Sequence, residues 1–192
     1  MTWRPEQLKA RAYLDQNGSR LPIAEIRQRV AAAFAAIEER LASVREPDAR
    51  ARFLPGEWTV QEVVDHLIET HRPSIGELRD LLAGRRPAGE PIPAGLQSAE
   101  PLKKPWGGLV AELHMLHAEV LEVLASASDR IVTDARAPIV MVINAAEPDG
   151  RVTPLHWIEE LDWKAYAIVF RLHVLDHLRQ VDKTLAAARG AA

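Results

Sequence analysis

Hydrophobic residues recur every three or four positions along most of this chain, which is the spacing of one face of an α-helix. The clearest stretch follows Pro22, a residue suited to the entrance of a helix, and stops near Pro47-Asp48. It predicts a helix from about Ile23 to Val44. Its buried face is predicted to carry Ile23, Ile26, Val30, Phe34, Ile37 and Leu41.

The same periodicity predicts three more long helices. They are expected at about Val60 to Leu82, Leu109 to Ala125 and Glu159 to Ala187. Residues 85–106, between the second and third helices, are rich in Pro, Gly and Ala. This composition predicts a long crossover loop.

Two features mark the second helix. Thr59 and Glu62 have the three-residue spacing of a capping box, which predicts that the helix begins directly after Thr59. Pro73 lies inside the predicted helix and is expected to kink it, because proline lacks a backbone donor and clashes with the preceding turn.

Two segments are less regular. Residues 1–21 contain a short amphipathic piece, Glu6–Leu14, and a turn at residues 16–19, which together predict an N-terminal arm. Residues 131–153 contain the β-branched run Val140-Met141-Val142-Ile143, which is compatible with a strand or hairpin. The final helix is expected to follow Thr153-Pro154.

Together these elements predict an all-α protein, a four-helix bundle with a long crossover connection and an N-terminal helical arm, as a single domain over residues 1–192. Composition agrees, because hydrophobic residues make up 47% of the chain, aromatic residues only 5%, and helix-forming Ala, Leu, Glu and Arg dominate. A chain of 192 residues suits one hydrophobic core.

Charge and composition exclude several functions. A net charge of −3 without a basic face argues against a nucleic-acid partner. No apolar run reaches the roughly 20 residues that span a bilayer, and the N-terminus lacks a signal-peptide pattern, so no membrane partner and a cytoplasmic location are expected. The chain has no cysteine, so any metal must be held by nitrogen and oxygen, and any thiol must come with a substrate.

The chemistry in the sequence is concentrated in its histidines. His173 and His177 are four residues apart, which places both imidazoles on one helix face. A helical wheel puts them opposite the charged side of the last helix and therefore toward the core. Buried imidazoles need partners, and one metal ion would satisfy both, although hydrogen bonds to neighbouring carboxylates or hydroxyls are an alternative.

A third ligand must come from another helix. On the second helix, the wheel favours His71, which lies in the middle of the apolar stripe, over His66 on its flank. His114 and His117 on the third helix are predicted to be core-flank or surface residues, and His156 a loop or capping residue. From periodicity alone the third ligand stays open.

Two motifs resemble the DinB/YfiT-like superfamily of metal-dependent proteins. The first is the run Gly56-Glu57-Trp58-Thr59-Val60-Gln61-Glu62-Val63-Val64-Asp65-His66-Leu67, and the second is Phe170-Arg171-Leu172-His173-Val174-Leu175-Asp176-His177-Leu178-Arg179-Gln180. The resemblance covers about residues 22–185. It implies a four-helix bundle in which His66, His173 and His177 bind one divalent ion, nickel or zinc. His71 is the alternative third ligand.

The resemblance also implies a small-molecule substrate and three candidate activities: thiol S-transfer with a low-molecular-weight thiol, metal-dependent hydrolysis, or thiol-assisted isomerisation. The alternative is a non-catalytic, metal-stabilised, dimeric bundle that serves as a binding or stress-response module. A homodimer is compatible with the sequence, but no residue identifies its interface, and no catalytic residue is assigned. Each free ring N–H needs an acceptor; Asp65, Glu62, Glu69, Asp176 and Tyr166 are within sequence reach, but the sequence does not assign the pairs.

Overall fold

The structure is a computed structural model that describes residues 3–146 and 149–190, without the side chains of residues 146 and 189. Its helices are α1 (Pro5–Leu14), α2 (Ile23–Ala42), α3 (Glu46–Arg50), α4 (Val60–Leu82), α5 (Trp106–Ser126) and α6 (Trp163–Gly190). A π-helical turn (Asp15–Ser19) follows α1, and a 3₁₀ turn (Pro101–Lys103) precedes α5. Strands β1 (Ala137–Ala146) and β2 (Val152–Leu161) lie between α5 and α6.

Helices α2, α4, α5 and α6 form the four-helix bundle. Helix α2 packs against α5 and α6, and α4 packs against the same two helices. Each helix contributes apolar residues with at most 1% exposure, among them Ile26, Phe34, Leu67, Leu78, Leu113, Val120, Ile168 and Val174. The core therefore lies along the bundle axis, as the helical periodicity predicted.

Helix α4 begins and ends where the sequence predicted. The Thr59 hydroxyl accepts from the backbone N–H of Glu62, and the Glu62 carboxylate accepts from the N–H of Thr59 at 2.6 Å, so the capping box is confirmed. The helix continues through Pro73, which removes one backbone donor without ending it. The start of α4 is thus well fixed, and this is the part that carries His66.

The N-terminal arm is anchored to the beginning of α6. Gly18 packs so closely there that a β-carbon on it would lie 2.7 Å from the Cα of Ala165. The Ser19 hydroxyl donates to Asp162, and Arg171 donates to the Tyr13 hydroxyl at 2.7 Å. Helix α1 confirms the predicted Glu6–Leu14 piece.

The hairpin corrects the all-α prediction. Strands β1 and β2 pair antiparallel, with Val142 opposite His156. The predicted start of the last helix, Glu159, is wrong because β2 runs to Leu161, and His156 is a strand residue rather than a loop or capping residue. Side-chain exposure along β2 alternates from one residue to the next, as expected for a strand. The prediction of a helix from Glu159 did not take this two-residue period into account.

Helix α3 is a further difference, since it forms where Pro47-Asp48 was expected only to end a helix. Proline is well tolerated in the first turn of a helix, where its missing N–H would be unpaired in any case. In the part of the chain that the structure describes, no helix has the length and apolar character needed to cross a membrane.

Candidate metal centre

Three histidines from two facing helices meet inside the bundle. His66 lies in the second turn of α4, and His173 and His177 lie one turn apart in α6. His66 is 2% exposed and His177 9%, whereas His173 is partly buried. The packing of α4 against α6 brings together residues more than a hundred positions apart in the sequence.

The three rings direct their Nε2 atoms toward one another. Nε2 of His173 lies 3.0 Å from Nε2 of His66 and 3.0 Å from Nε2 of His177. One ligand atom from each of the three histidines lies within 4.8 Å of the others. Nitrogen ligands about 2.0–2.1 Å from one ion lie roughly 3 Å apart, so these spacings suit a single bound ion.

The outer nitrogens of two rings fix which nitrogen carries the proton. Nδ1 of His66 lies 2.7 Å from the carbonyl oxygen of Leu96, and Nδ1 of His177 lies 2.9 Å from Oε1 of Gln180. Both oxygens can only accept, so both Nδ1 atoms donate, and in the neutral rings both Nε2 atoms present lone pairs. His173 can donate its Nε2 proton to only one of them.

Electrostatics favours the neutral state of all three rings. Burial lowers the pKa of His66 to about 4, reinforced by repulsion from His177 and opposed by the Leu96 carbonyl. Burial, followed by the neighbouring histidines, holds the pKa of His173 well below 6.5, and burial also lowers the pKa of His177. Neutral imidazole is the form that binds a metal ion.

The donor set therefore fits a divalent transition metal. Three neutral nitrogens, two with lone pairs held toward a common point, form a donor set that one cation can satisfy together. All-imidazole sites suit zinc, nickel, copper or iron, so the donors agree with a divalent ion without selecting one.

Trp58 covers one side of the cluster. Its ring centroid lies 5.0 Å from that of His66 and 6.2 Å from that of His177. Trp58 is partly buried and directly precedes the N-cap of α4. The motif that resembles the superfamily includes this tryptophan, but its contact with the histidines could not be derived from periodicity.

The other histidines lie outside this cluster. His71 is 1% exposed, so the wheel was right that it faces the core, but its ring packs among Phe34, Phe170, His117 and His173 and does not join the three Nε2 atoms. His117 is also buried and bonds to Glu38 at 2.6 Å. His114 and His156 are exposed.

The acceptors of two ring N–H groups lie outside the set of candidates that were within sequence reach. Leu96 and Gln180 take these roles for His66 and His177, in place of Asp65, Glu62, Glu69, Asp176 and Tyr166. Gln180 is the polar residue three positions after His177 in the second motif, so its signal was present. The Leu96 carbonyl belongs to the crossover loop and has no side-chain signal.

Fold and cluster together define a four-helix-bundle protein with three histidines placed close enough to hold one metal ion. The sequence matches the DinB superfamily over residues 29–161. The chain belongs to this superfamily.

A solved structure supports the same fold. The structure reported as "YfiT from Bacillus subtilis is a probable metal-dependent hydrolase with an unusual four-helix bundle topology" is 18% identical to this chain, with a TM-score of 0.63. The similarity covers 84% of this chain and 85% of that one. No curated protein matches the sequence.

Proposed function

We propose that this protein is a metal-dependent enzyme in which His66, His173 and His177 hold one divalent ion, nickel or zinc, and which acts on a small molecule. The observation that carries the proposal is the convergence of the three Nε2 atoms, with Nε2 of His173 3.0 Å from each of the other two. Burial of the rings in the neutral state adds support, because protons would not compete for these nitrogens at neutral pH.

Two reactions suit such a site, hydrolysis and the transfer of a low-molecular-weight thiol. A bound ion of this type supplies Lewis acidity, which lowers the pKa of a water or thiol that binds to it. The residues of the chain hold and orient the three imidazoles, and Trp58 packs against the rings of His66 and His177. The chain has no cysteine, so a reacting thiol would come from a cosubstrate.

Metal analysis of purified protein tests the first part. We expect about one equivalent of nickel or zinc in the wild type and its loss in His66→Ala and His173→Ala. His114→Ala and His156→Ala are matched controls, because both replace exposed histidines outside the cluster, and they should keep the metal. Full metal content in His173→Ala would contradict the proposal.

Activity measurements test the second part. Metal-free protein and protein reloaded with nickel or zinc should be compared on a panel of esters and amides, and on a panel of electrophiles with several small thiols. Turnover that needs both the metal and His173 supports an enzyme. One bound equivalent without turnover on either panel would favour the non-catalytic, metal-stabilised bundle instead.

A further inference from the structure

The crossover loop is attached to the same turn of α4 that carries His66. The carbonyl oxygen of Leu96 accepts the Nδ1–H of His66 at 2.7 Å. Two residues later, the backbone N–H of Ser98 donates to Asp65 at 2.8 Å and its hydroxyl donates to the same carboxylate at 2.7 Å. Adjacent residues of α4 thus hold loop residues that are only two positions apart.

Asp65 is a strong anchor because it is a fully buried charge with three donors. Its exposure is 0%, and Lys104 Nζ lies 2.7 Å from its Oδ1, in addition to the two bonds from Ser98. The ammonium group of Lys104 forms an ion pair with the carboxylate, and charge-assisted hydrogen bonds are the stronger kind.

Further bonds tie the same loop to the start of α4. Gln97 donates to the carbonyl oxygen of Glu62 at 2.9 Å. The side chain of Gln61, which is fully buried, donates to the carbonyl oxygens of Pro101 and Lys104, both at 2.9 Å. The loop is thus held over residues 96–104, with Gln97 bonded to Glu62 and Ser98 bonded to Asp65 directly after Leu96.

We propose that Asp65 is a positioning residue for the metal centre. It holds Ser98, Ser98 keeps the Leu96 carbonyl against His66, and this carbonyl keeps the His66 proton on Nδ1, so that Nε2 presents its lone pair to the ion. The inference rests on the proposed function of the three histidines as a metal site. It makes the long crossover loop part of that site through a backbone atom.

The physical reason lies in the two tautomers of neutral imidazole. If the Leu96 carbonyl moves away, nothing fixes the His66 proton on Nδ1, and the tautomer with a proton on Nε2 cannot bind a metal there. Binding must then reverse the tautomer and restore the loop, which weakens affinity. Mutation of a group that orients a metal-binding histidine typically lowers the metal affinity by about 10- to 100-fold.

Calorimetric titration of nickel into the metal-free full-length protein tests the proposal. We expect Asp65→Asn to weaken nickel binding by about 10- to 100-fold. The matched control is Glu69→Gln. Glu69 also lies in α4 and contacts Lys104 at 3.2 Å, but it accepts hydrogen bonds from Lys104 and Arg72 rather than from residues 96–98. The Glu69→Gln variant should bind nickel with the affinity of the wild type. Wild-type affinity in Asp65→Asn would overturn the proposal.

A second measurement does not depend on the metal. Long-range ¹H–¹⁵N NMR spectra of the metal-free protein report which ring nitrogen of His66 is protonated. We expect Nδ1–H in the wild type and in Glu69→Gln, and a mixture of tautomers in Asp65→Asn. A His66 that keeps its proton on Nδ1 in Asp65→Asn would overturn the inference, because loss of the anchor would then leave the imidazole unchanged.

Ser98→Ala covers the case in which Asp65→Asn does not fold. It removes one of the three donors to Asp65 and leaves the ion pair with Lys104 in place, so it should shift tautomer and affinity in the same direction by a smaller amount. No change in either quantity would count against the proposal. If the wild type binds neither nickel nor zinc, the proposed function fails, while the NMR measurement still decides this inference.

Discussion

The indole of Trp58 lies almost parallel to the imidazole of His177, with ring centroids 6.2 Å apart and 14° between the ring planes. Trp58 is also the residue before Thr59, the N-cap of α4. One short segment therefore both starts the helix that carries His66 and covers the histidine cluster. Since indole fluorescence is sensitive to nearby open-shell ions, Trp58 should report what the cluster binds.

Adding Ni²⁺ or Cu²⁺ to the metal-free protein should quench tryptophan fluorescence, and Trp58→Phe should remove most of this quenching. The reason is the position of Trp58 beside two of the three proposed ligands. The control is Trp157→Phe, since Trp157 lies on the hairpin and its indole donates to Glu159. Quenching in Trp58→Phe equal to that of the wild type would show that the ion binds elsewhere.

His117 should make the stability of the protein depend on pH. It is 1% exposed, and its burial lowers its pKa to about 4, against the opposing effect of Glu38 and with a further lowering by His114. The neighbouring His71 from α4 also has a pKa well below 6.5, so it too is neutral in the fold at neutral pH. Below pH 6.5 the unfolded chain takes up a proton at His117 that the folded chain does not.

The contribution of His117 is therefore complete above about pH 6.5 and is lost as the pH falls toward about 4, at up to about 1.4 kcal/mol per pH unit. Urea unfolding at several pH values measures it. In His117→Leu the free energy of unfolding should fall less steeply over this range, whatever the constant cost of losing the stacking on Phe34. In Glu38→Gln the loss should extend to lower pH. Equal slopes in the wild type and His117→Leu would refute the assignment.

Loss of the capping box should destabilise the start of α4. Thr59→Ala leaves the backbone N–H of Glu62 without its acceptor and should lower the free energy of unfolding by about 1 kcal/mol. Thr59→Ser keeps the hydroxyl and should retain nearly all of the stability. Equal losses in the two variants, measured by urea unfolding, would mean that the methyl group matters and the cap does not.

Replacing glycine with alanine should have opposite effects on stability at two positions. Gly18→Ala places a β-carbon 2.7 Å from the Cα of Ala165, and since backbone cannot move aside cheaply, it should destabilise the protein by about 1–3 kcal/mol. Gly76→Ala lies on the exposed side of α4 with no neighbour within 4 Å, and should stabilise by about 0.5–1 kcal/mol. Thermal unfolding of both variants checks the signs. Stabilisation by Gly18→Ala would mean that the N-terminal arm is not packed on α6 as described.

Local sequence predicted all four long helices but not the start of the last one. The start of α4 was predicted to the residue, because Thr59 and Glu62 form a cap that needs only neighbours in the chain. The apolar stripe of α2 likewise became core, from Ile26 to Leu41. The last helix was predicted to start too early, because the segment before it could form either a helix or a strand, and its pairing with β1 is a non-local contact.

The histidine cluster, too, could be predicted from the sequence only in part. The face shared by His173 and His177 follows from helical geometry and could be read from their spacing. The wheel favoured His71 over His66 and only the motif pointed to His66, whereas both residues are buried in the structure. That choice depends on how α4 is rotated and placed against α6.

The four long helices, the sides of them that are buried, the lack of any thiol and the motifs that resemble the superfamily could all be read from the sequence alone. The packed structure was needed to show that His66 meets the α6 pair, that His71 packs beside Phe34, and that a loop carbonyl at Leu96 holds the His66 proton. The physical reason is that a repeat of hydrophobic positions fixes which side of a helix is buried, whereas contacts between helices and with backbone carbonyls depend on packing across the whole bundle.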